Sequence, residues 1–204
     1  MNEKFFDLKK EKQDRMINGA LKVFAASGYA HASTDEIVKE AGISKGLLFH
    51  YFISKLGLYT FVYDYSVRYL LLELSTGVSP GETDYFELLL QIKQAQLGAM
   101  KNYPHILQFL NRSREEDVEE VLTETEDKRG VLPGRYEEIV GKADLTKFKR
   151  DTDVERVGKV LQYTMDGILA EQSRSGSFRP EVYYEEVKQY LAVMKKLSYH
   201  ERQK

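Results

Sequence analysis

The 204-residue chain contains no cysteine. That excludes disulfides, thiolate metal sites and cysteine nucleophiles, and it suits a reducing, cytoplasmic setting. No apolar run approaches the ~20 residues that cross a bilayer, so no membrane association is expected. The N-terminus, MNEKFFDLKKEKQDR, lacks the apolar core of a signal peptide. The four histidines, His31, His50, His105 and His200, are scattered. None has a carboxylate three residues before it, as a di-iron bundle would require. HExxH, Gly-rich phosphate-loop and GxSxG patterns are also missing. The expectation is therefore a chain with no catalytic residues, no metal and no cofactor.

What is present is the composition of an ordinary globular protein, 42% hydrophobic and 30% charged. The formal net charge of −2 is unevenly spread. Residues 1–60 carry nine Lys/Arg against seven Asp/Glu, and the remainder carries 21 against 25. A mildly basic end on an acidic body suits a nucleic-acid-facing N-terminus.

The stretch STDEIVKEAGISKGLLFHYF, residues 33–52, is the most informative. Ser33 and Glu36 form a capping box, in which the hydroxyl bonds the amide three residues on and the carboxylate bonds back. Ile37, Val38 and Ala41 give the first helix an apolar face. Gly42 ends it, because glycine takes the left-handed conformation without steric cost. Ser44 caps a second helix running from Lys45. Helix, glycine turn and capped helix make a helix-turn-helix, whose second helix enters the DNA major groove by its N-terminal residues.

Before this motif, Met16, Ile17, Ala20, Leu21, Val23 and Phe24 fall at helical spacing, with Gly28 ending that helix. Lys4 to Arg15 reads either as a solvated helix start or as a basic arm (Lys9, Lys10, Lys12) reaching phosphates.

From Met16 to about Tyr59, through MINGALKVFAASGY, Ser33, DEIVKEAGISKG, FHYFISK and Leu58-Tyr59, the chain resembles the TetR-type transcriptional regulators. The resemblance implies an all-α protein with a three-helix, helix-turn-helix DNA-binding head at 1–54 and a larger helical body for effector binding and dimerisation at 55–204. It implies a sequence-specific DNA-binding regulator, a repressor released from a pseudo-palindromic operator by a small molecule. On double-stranded DNA, Ser33, Ser44, Lys45, Gly46, Leu47, Phe49, His50, Tyr51 and Lys55 are the expected contacts. Lys45 can reach a phosphate or a guanine edge, and Gly46 lets the backbone approach. Leu47 stands where the family often has a small polar residue, and either touches a thymine methyl or packs within the helix. Phe49 replaces the usual tyrosine, so no hydroxyl is offered to a phosphate there. His50 and Tyr51 are expected on the exposed side, with Leu48 and Phe52 facing the core.

Beyond the head, a long helix from Lys55 to Leu74, a loop at 75–81 and a helix from Tyr85 to Tyr103 are expected. Pro104 should open a shorter helix by standing in its first turn. A charged helix from Arg112 to Lys128 then ends at Gly130-Val131-Leu132-Pro133-Gly134. The last two helices, Asp153 to Ser173 and Pro180 to Leu197, carry apolar stripes. In the family these helices pair in a four-helix bundle, which makes Val157, Leu161, Met165, Ile168, Tyr183, Val187, Tyr190 and Met194 the expected homodimer interface. The same stripes could instead seal the chain's own core. The 24 aromatic residues supply material for a pocket taking an apolar or amphipathic effector. Tyr63, Tyr65, Phe86, Leu89, Met100, Tyr103, Phe109, Tyr163 and Met165 are its candidates, each equally at home in a core. Two rival classes stay open. A helical interaction module whose head no longer reads DNA would show no salt-dependent DNA affinity. A helical-bundle enzyme would need a convergent set of titratable groups, and none is found.

Overall fold

The computed structural model describes residues 3–174 and 178–200. Among these the chain is helical, without a named strand. Its elements are a 3-10 turn at Glu3–Phe5, α1 (Lys10–His31), α2 (Thr34–Ala41), α3 (Lys45–Phe52), α4 (Lys55–Gly77), α5 (Tyr85–Asn102), α6 (Ile106–Ser113), α7 (Glu119–Arg129), α8 (Val131–Val140), a 3-10 turn at Leu145–Lys147, α9 (Val154–Arg174) and α10 (Pro180–Ser198).

Packing groups these elements into two compact units, the first made of Met1–Leu72 and Ala99–Pro133, the second of Glu73–Gly98 and Gly134–Lys204. The division does not fall at residue 54. In the first unit, α1 packs on both α2 and α6, so the helix-turn-helix head shares one packed unit with the start of α4 and with α6 and α7. Phe24 shows why. Its ring lies 4.9 Å from Tyr59 of α4 and 6.2 Å from Phe109 of α6, and all three are fully buried.

Helix boundaries follow local chemistry, with four departures from the sequence expectation. The charged helix expected from Arg112 starts only at Glu119, because α6 runs on to Ser113 and the chain turns before α7. α4 continues through Ser75-Thr76-Gly77 rather than stopping at Leu74, helped by the Thr76 hydroxyl, which donates to the Glu73 carbonyl. Pro104 precedes α6 instead of standing in its first turn, and His105 occupies the N-cap position. The break after α7 is Gly130 alone: α8 starts at Val131 and holds Pro133 in its first turn, where amides have no intrahelical acceptor to lose.

In the second unit, Asp84 ties the start of α5 to the end of α10. Its carboxylate accepts the Phe86 and Glu87 amides at 3.1 and 3.2 Å, the Lys147 and Lys195 ammoniums at 3.2 Å each and the Tyr199 hydroxyl at 3.2 Å. Burial opposes the charge, yet these partners hold the carboxyl below the ordinary range. Phe148 and Tyr199 form an isolated antiparallel bridge, closed by the Lys149 amide donating to Ser198 at 2.9 Å and the His200 amide donating to Lys147 at 3.1 Å.

α9 and α10 pack on each other, so most of the expected interface residues are covered within the single chain. Leu161, Met165, Ile168, Tyr183 and Val187 are buried within the chain itself, Val157 and Met194 are half-buried, and Tyr190 alone of the eight is exposed. The apolar residues turned outward are Val160 and Tyr163 on α9 and Val182, Tyr190, Val193 and Leu197 on α10. Tyr163, 72% exposed, therefore walls no pocket inside the chain. Of the other pocket candidates, Tyr63, Tyr65, Met100, Tyr103 and Phe109 belong to the first unit, whereas Phe86, Leu89 and Met165 belong to the second. Those in the first unit are packed as core: Tyr63 and Phe109 lie 6.3 Å apart, Tyr65 and Tyr103 5.4 Å.

Candidate nucleic-acid interface

α2 and α3 are built by three local devices. Ser33 caps α2, but its Oγ accepts the amide of Asp35, at 3.2 Å, rather than that of Glu36. Either amide satisfies one orphan donor of the first turn. Gly42 takes the left-handed conformation, φ 62° and ψ 44°. Its amide donates to Lys39 and the Ile43 amide donates to Val38, which is the paired Schellman closure. Ser44 then caps α3, its Oγ accepting the Leu47 amide at 3.2 Å.

The resulting face is open at the N-terminal end of α3. Ser44, Lys45, Gly46 and His50 are exposed, and Leu47 and Phe49 are half-buried. A Cβ placed on Gly46 would meet nothing within 4 Å, so nothing in the folded chain itself requires a glycine there. Lys45 is held over the start of α2 by Asp35, with Nζ 2.9 and 3.1 Å from its two carboxylate oxygens. Both groups are exposed, and such pairs contribute about 0–1 kcal/mol, so a phosphate can displace the carboxylate.

Two expected contacts are placed elsewhere. Tyr51 is buried rather than sharing the exposed side with His50, its ring 5.8 Å from Phe5. Lys55 points inward: its Nζ donates to the carbonyls of Tyr29, Ala30 and Ala32 at 2.8, 3.3 and 3.4 Å and lies 4.5 Å from the Tyr29 ring. A lysine there compensates the carbonyls left open at the end of α1, and is spent on structure. That end needs help because Gly28 breaks α1 at φ 67° and ψ 177°, the stop expected at this glycine.

The first turn of α1 is committed as well. Lys10 Nζ bonds Asp14 at 2.7 Å and the Tyr103 hydroxyl at 2.9 Å, and that hydroxyl donates to Asp14 at 2.5 Å. Burial, then the bond to Asp14, push the Tyr103 phenol far up, so it stays a donor. Lys10 is therefore no free arm. At the other end of α1, the Tyr29 amide and hydroxyl donate to Glu116 and Glu120 at 2.9 and 2.6 Å. Between Ser27–His31 and Arg112–Asp117 lies a polar cleft of about 200 Å³.

The turn after α3 has no signal in the sequence. Ile53 has φ 67° and ψ −47°, and Ser54 N–H donates back to the Phe52 carbonyl at 2.7 Å. This is a γ-turn on a β-branched residue, a strained conformation. Ser54 caps α4, its Oγ accepting the Gly57 amide at 3.0 Å.

Comparison with known proteins agrees with this geometry. Residues 16–60 match the family model for bacterial regulatory proteins of the tetR family. Over 75 residues the chain is 41% identical to the uncharacterised HTH-type transcriptional regulator YuxN of Bacillus subtilis, covering 35% of this chain and 26% of that one. Over 47 residues it is 40% identical to the uncharacterised HTH-type transcriptional regulator TtgW of Pseudomonas putida, covering 23% and 35%. These matches span only about a quarter and a third of the two curated relatives. In fold the likeness extends further. A TetR family transcriptional regulator from Chloroflexus aurantiacus superposes with a TM-score of 0.63 at 18% identity, covering 98% of this chain and 99% of that one. The described residues are helical, with a capped helix-turn-helix near the N-terminal end, and share the fold of that regulator. The chain thus resembles the TetR-type regulators, in sequence over its helix-turn-helix head and in fold over its length.

Proposed function

We propose that this chain is a sequence-specific DNA-binding transcriptional repressor, acting in the cytoplasm as a homodimer. The observation that carries the reading is the N-terminal end of α3, where Ser44, Lys45, Gly46 and His50 stand exposed on a doubly capped helix-turn-helix. Lys45 and His50 engage phosphates, and Leu47 and Phe49 supply apolar contacts to sugars or thymine methyls. The outward apolar residues of α9 and α10 support the dimer, since two heads about 34–36 Å apart read successive major grooves. Repression is relieved by an apolar or amphipathic small molecule with higher affinity for a head spacing that does not fit the operator. In support of that step, the aromatic residues Tyr63, Tyr65, Tyr103 and Phe109 lie in the same packed unit as α1–α3.

The test is DNA binding by the full chain at two salt concentrations, beginning with the region upstream of its own gene and continuing with a pool of genomic fragments. Wild type should bind a discrete fragment with affinity that falls steeply as salt rises. The Lys45→Ala, His50→Ala double variant should bind weakly, with a salt slope shallower by about one for each phosphate no longer engaged. Salt-insensitive or absent binding across the pool would overturn the reading and leave a helical interaction module.

A further inference from the structure

We propose that Phe5 is a positioning residue for the recognition helix, fixing the angle of α3 from its far end; the proposal rests on the DNA-binding reading of α3. A charged N-terminal segment would ordinarily fray, yet Phe5 is 0% exposed. Its ring centroid lies 5.1 Å from Phe52, 5.8 Å from Tyr51 and 5.1 Å from Phe61 of α4, and Phe52 and Phe61 are themselves 5.1 Å apart. These edge-on and tilted contacts are favourable aromatic geometries. The segment is held in place by side-chain and backbone bonds. The Gln13 amide donates to the carbonyls of Phe6 and Leu8 at 3.1 and 2.8 Å, and the Leu8 amide donates to Phe5.

α3 is only two turns long, too short to hold a direction by its own hydrogen bonds. Its direction comes from what its buried face rests on. That face consists of Leu48, Tyr51 and Phe52, and Phe5 touches two of the three. Both lie at the opposite end of the helix from Ser44–Leu47, so the effect of Phe5 on DNA is exerted through α3. Phe6 next to it is the internal control: it is 54% exposed. Its ring meets Phe5 and Phe61, at 5.6 and 6.3 Å, and among the described residues neither aromatic ring of the buried face of α3.

The experiment uses the full chain with Phe5→Ala, Phe5→Leu and Phe6→Ala, and two readouts. The first is affinity for the fragment that wild type retains from a pool of genomic DNA. The second is amide hydrogen exchange, compared between Phe49–Phe52 of α3 and Val23–Phe24 of α1. Phe5→Ala should lower affinity by about tenfold, equivalent to about 1.4 kcal/mol, and speed exchange selectively in α3. Phe5→Leu should restore most of both, and Phe6→Ala should change neither. Wild-type affinity in Phe5→Ala, or exchange that rises equally in α1 and α3, would overturn the proposal and reduce Phe5 to general core. If wild type retains no fragment, the DNA reading falls, and exchange alone decides whether Phe5 positions α3: selective loss of α3 protection upholds it, and unchanged protection sinks it.

Discussion

The two ends of α3 are opposites, although the helix is only eight residues long. At the N-terminal end, Lys45 and Gly46 touch little beyond Asp35 and are held by one serine cap. At the C-terminal end, Tyr51 and Phe52 are packed among Phe5 and Phe61, and the chain leaves through a strained residue. Removing polar surface from the free end should therefore change recognition and leave folding alone. Altering the locked end should change folding first. A binding helix of this length gains its freedom at one end from constraint at the other.

Four substitutions test that contrast. Phe52→Ala should cost the most, about 3–5 kcal/mol for a buried phenylalanine, seen as a lowered urea midpoint with the DNA affinity lost along with the fold. Gly57→Ala comes next: the new Cβ would overlap the Phe52 carbonyl oxygen. Strain of this kind costs about 1–3 kcal/mol, and a melting temperature equal to wild type would show that the turn yields more easily than the packing suggests. Ile53→Gly should act in the opposite direction. Ile53 is 75% exposed, so little burial is lost, and the left-handed region costs an L-residue about 1–2 kcal/mol. Part of that relief is returned through the freer unfolded chain, leaving a gain of about 0.5–1 kcal/mol, measurable as a melting temperature ~2–3 °C higher. Gly46→Ala should have the smallest effect on stability, a gain of a few tenths of a kcal/mol. The full helix-propensity difference of about 1 kcal/mol applies to helix interiors, and Gly46 lies in the first turn. If the backbone at Gly46 approaches the groove as proposed, the added methyl should nevertheless lower DNA affinity. An alanine variant that is more stable and binds as tightly would show that the backbone at Gly46 stays clear of DNA.

Much of the head was legible because its determinants are local. Ser33, Gly42 and Ser44 act on amides within a few residues of themselves, and the turn and both caps could be located from their order and spacing. What escaped depends on distant partners. Lys55 looks like a free cation until the carbonyls of Tyr29, Ala30 and Ala32 are brought to it by the break at Gly28. Tyr51 is covered by Phe5, a residue whose Phe-Phe pair in a charged run has no period to announce burial. In α9 and α10 the difficulty was phase. Both helices are apolar over a wide arc, and periodicity does not say which part of the arc the chain keeps for itself. The buried part proved to include Leu161, Ile168 and Val187, and the outward part Val160, Val193 and Leu197.

The link between α3 and α4 contains no slack. Two residues separate the helices, one closed by the Ser54-to-Phe52 bond and the other by the Ser54 cap on Gly57, whose bare Cα lies against the Phe52 carbonyl. In mechanical terms it is a joint without backlash. If α3 reads DNA as proposed, a rotation of the first turns of α4 would carry α3 with it, and a shift of about an ångström would be enough to move Lys45 off a phosphate. Inserting a single glycine after Ile53 should introduce the missing play. On the proposed reading, DNA affinity would then drop modestly, measurable against the wild-type chain on the same fragment.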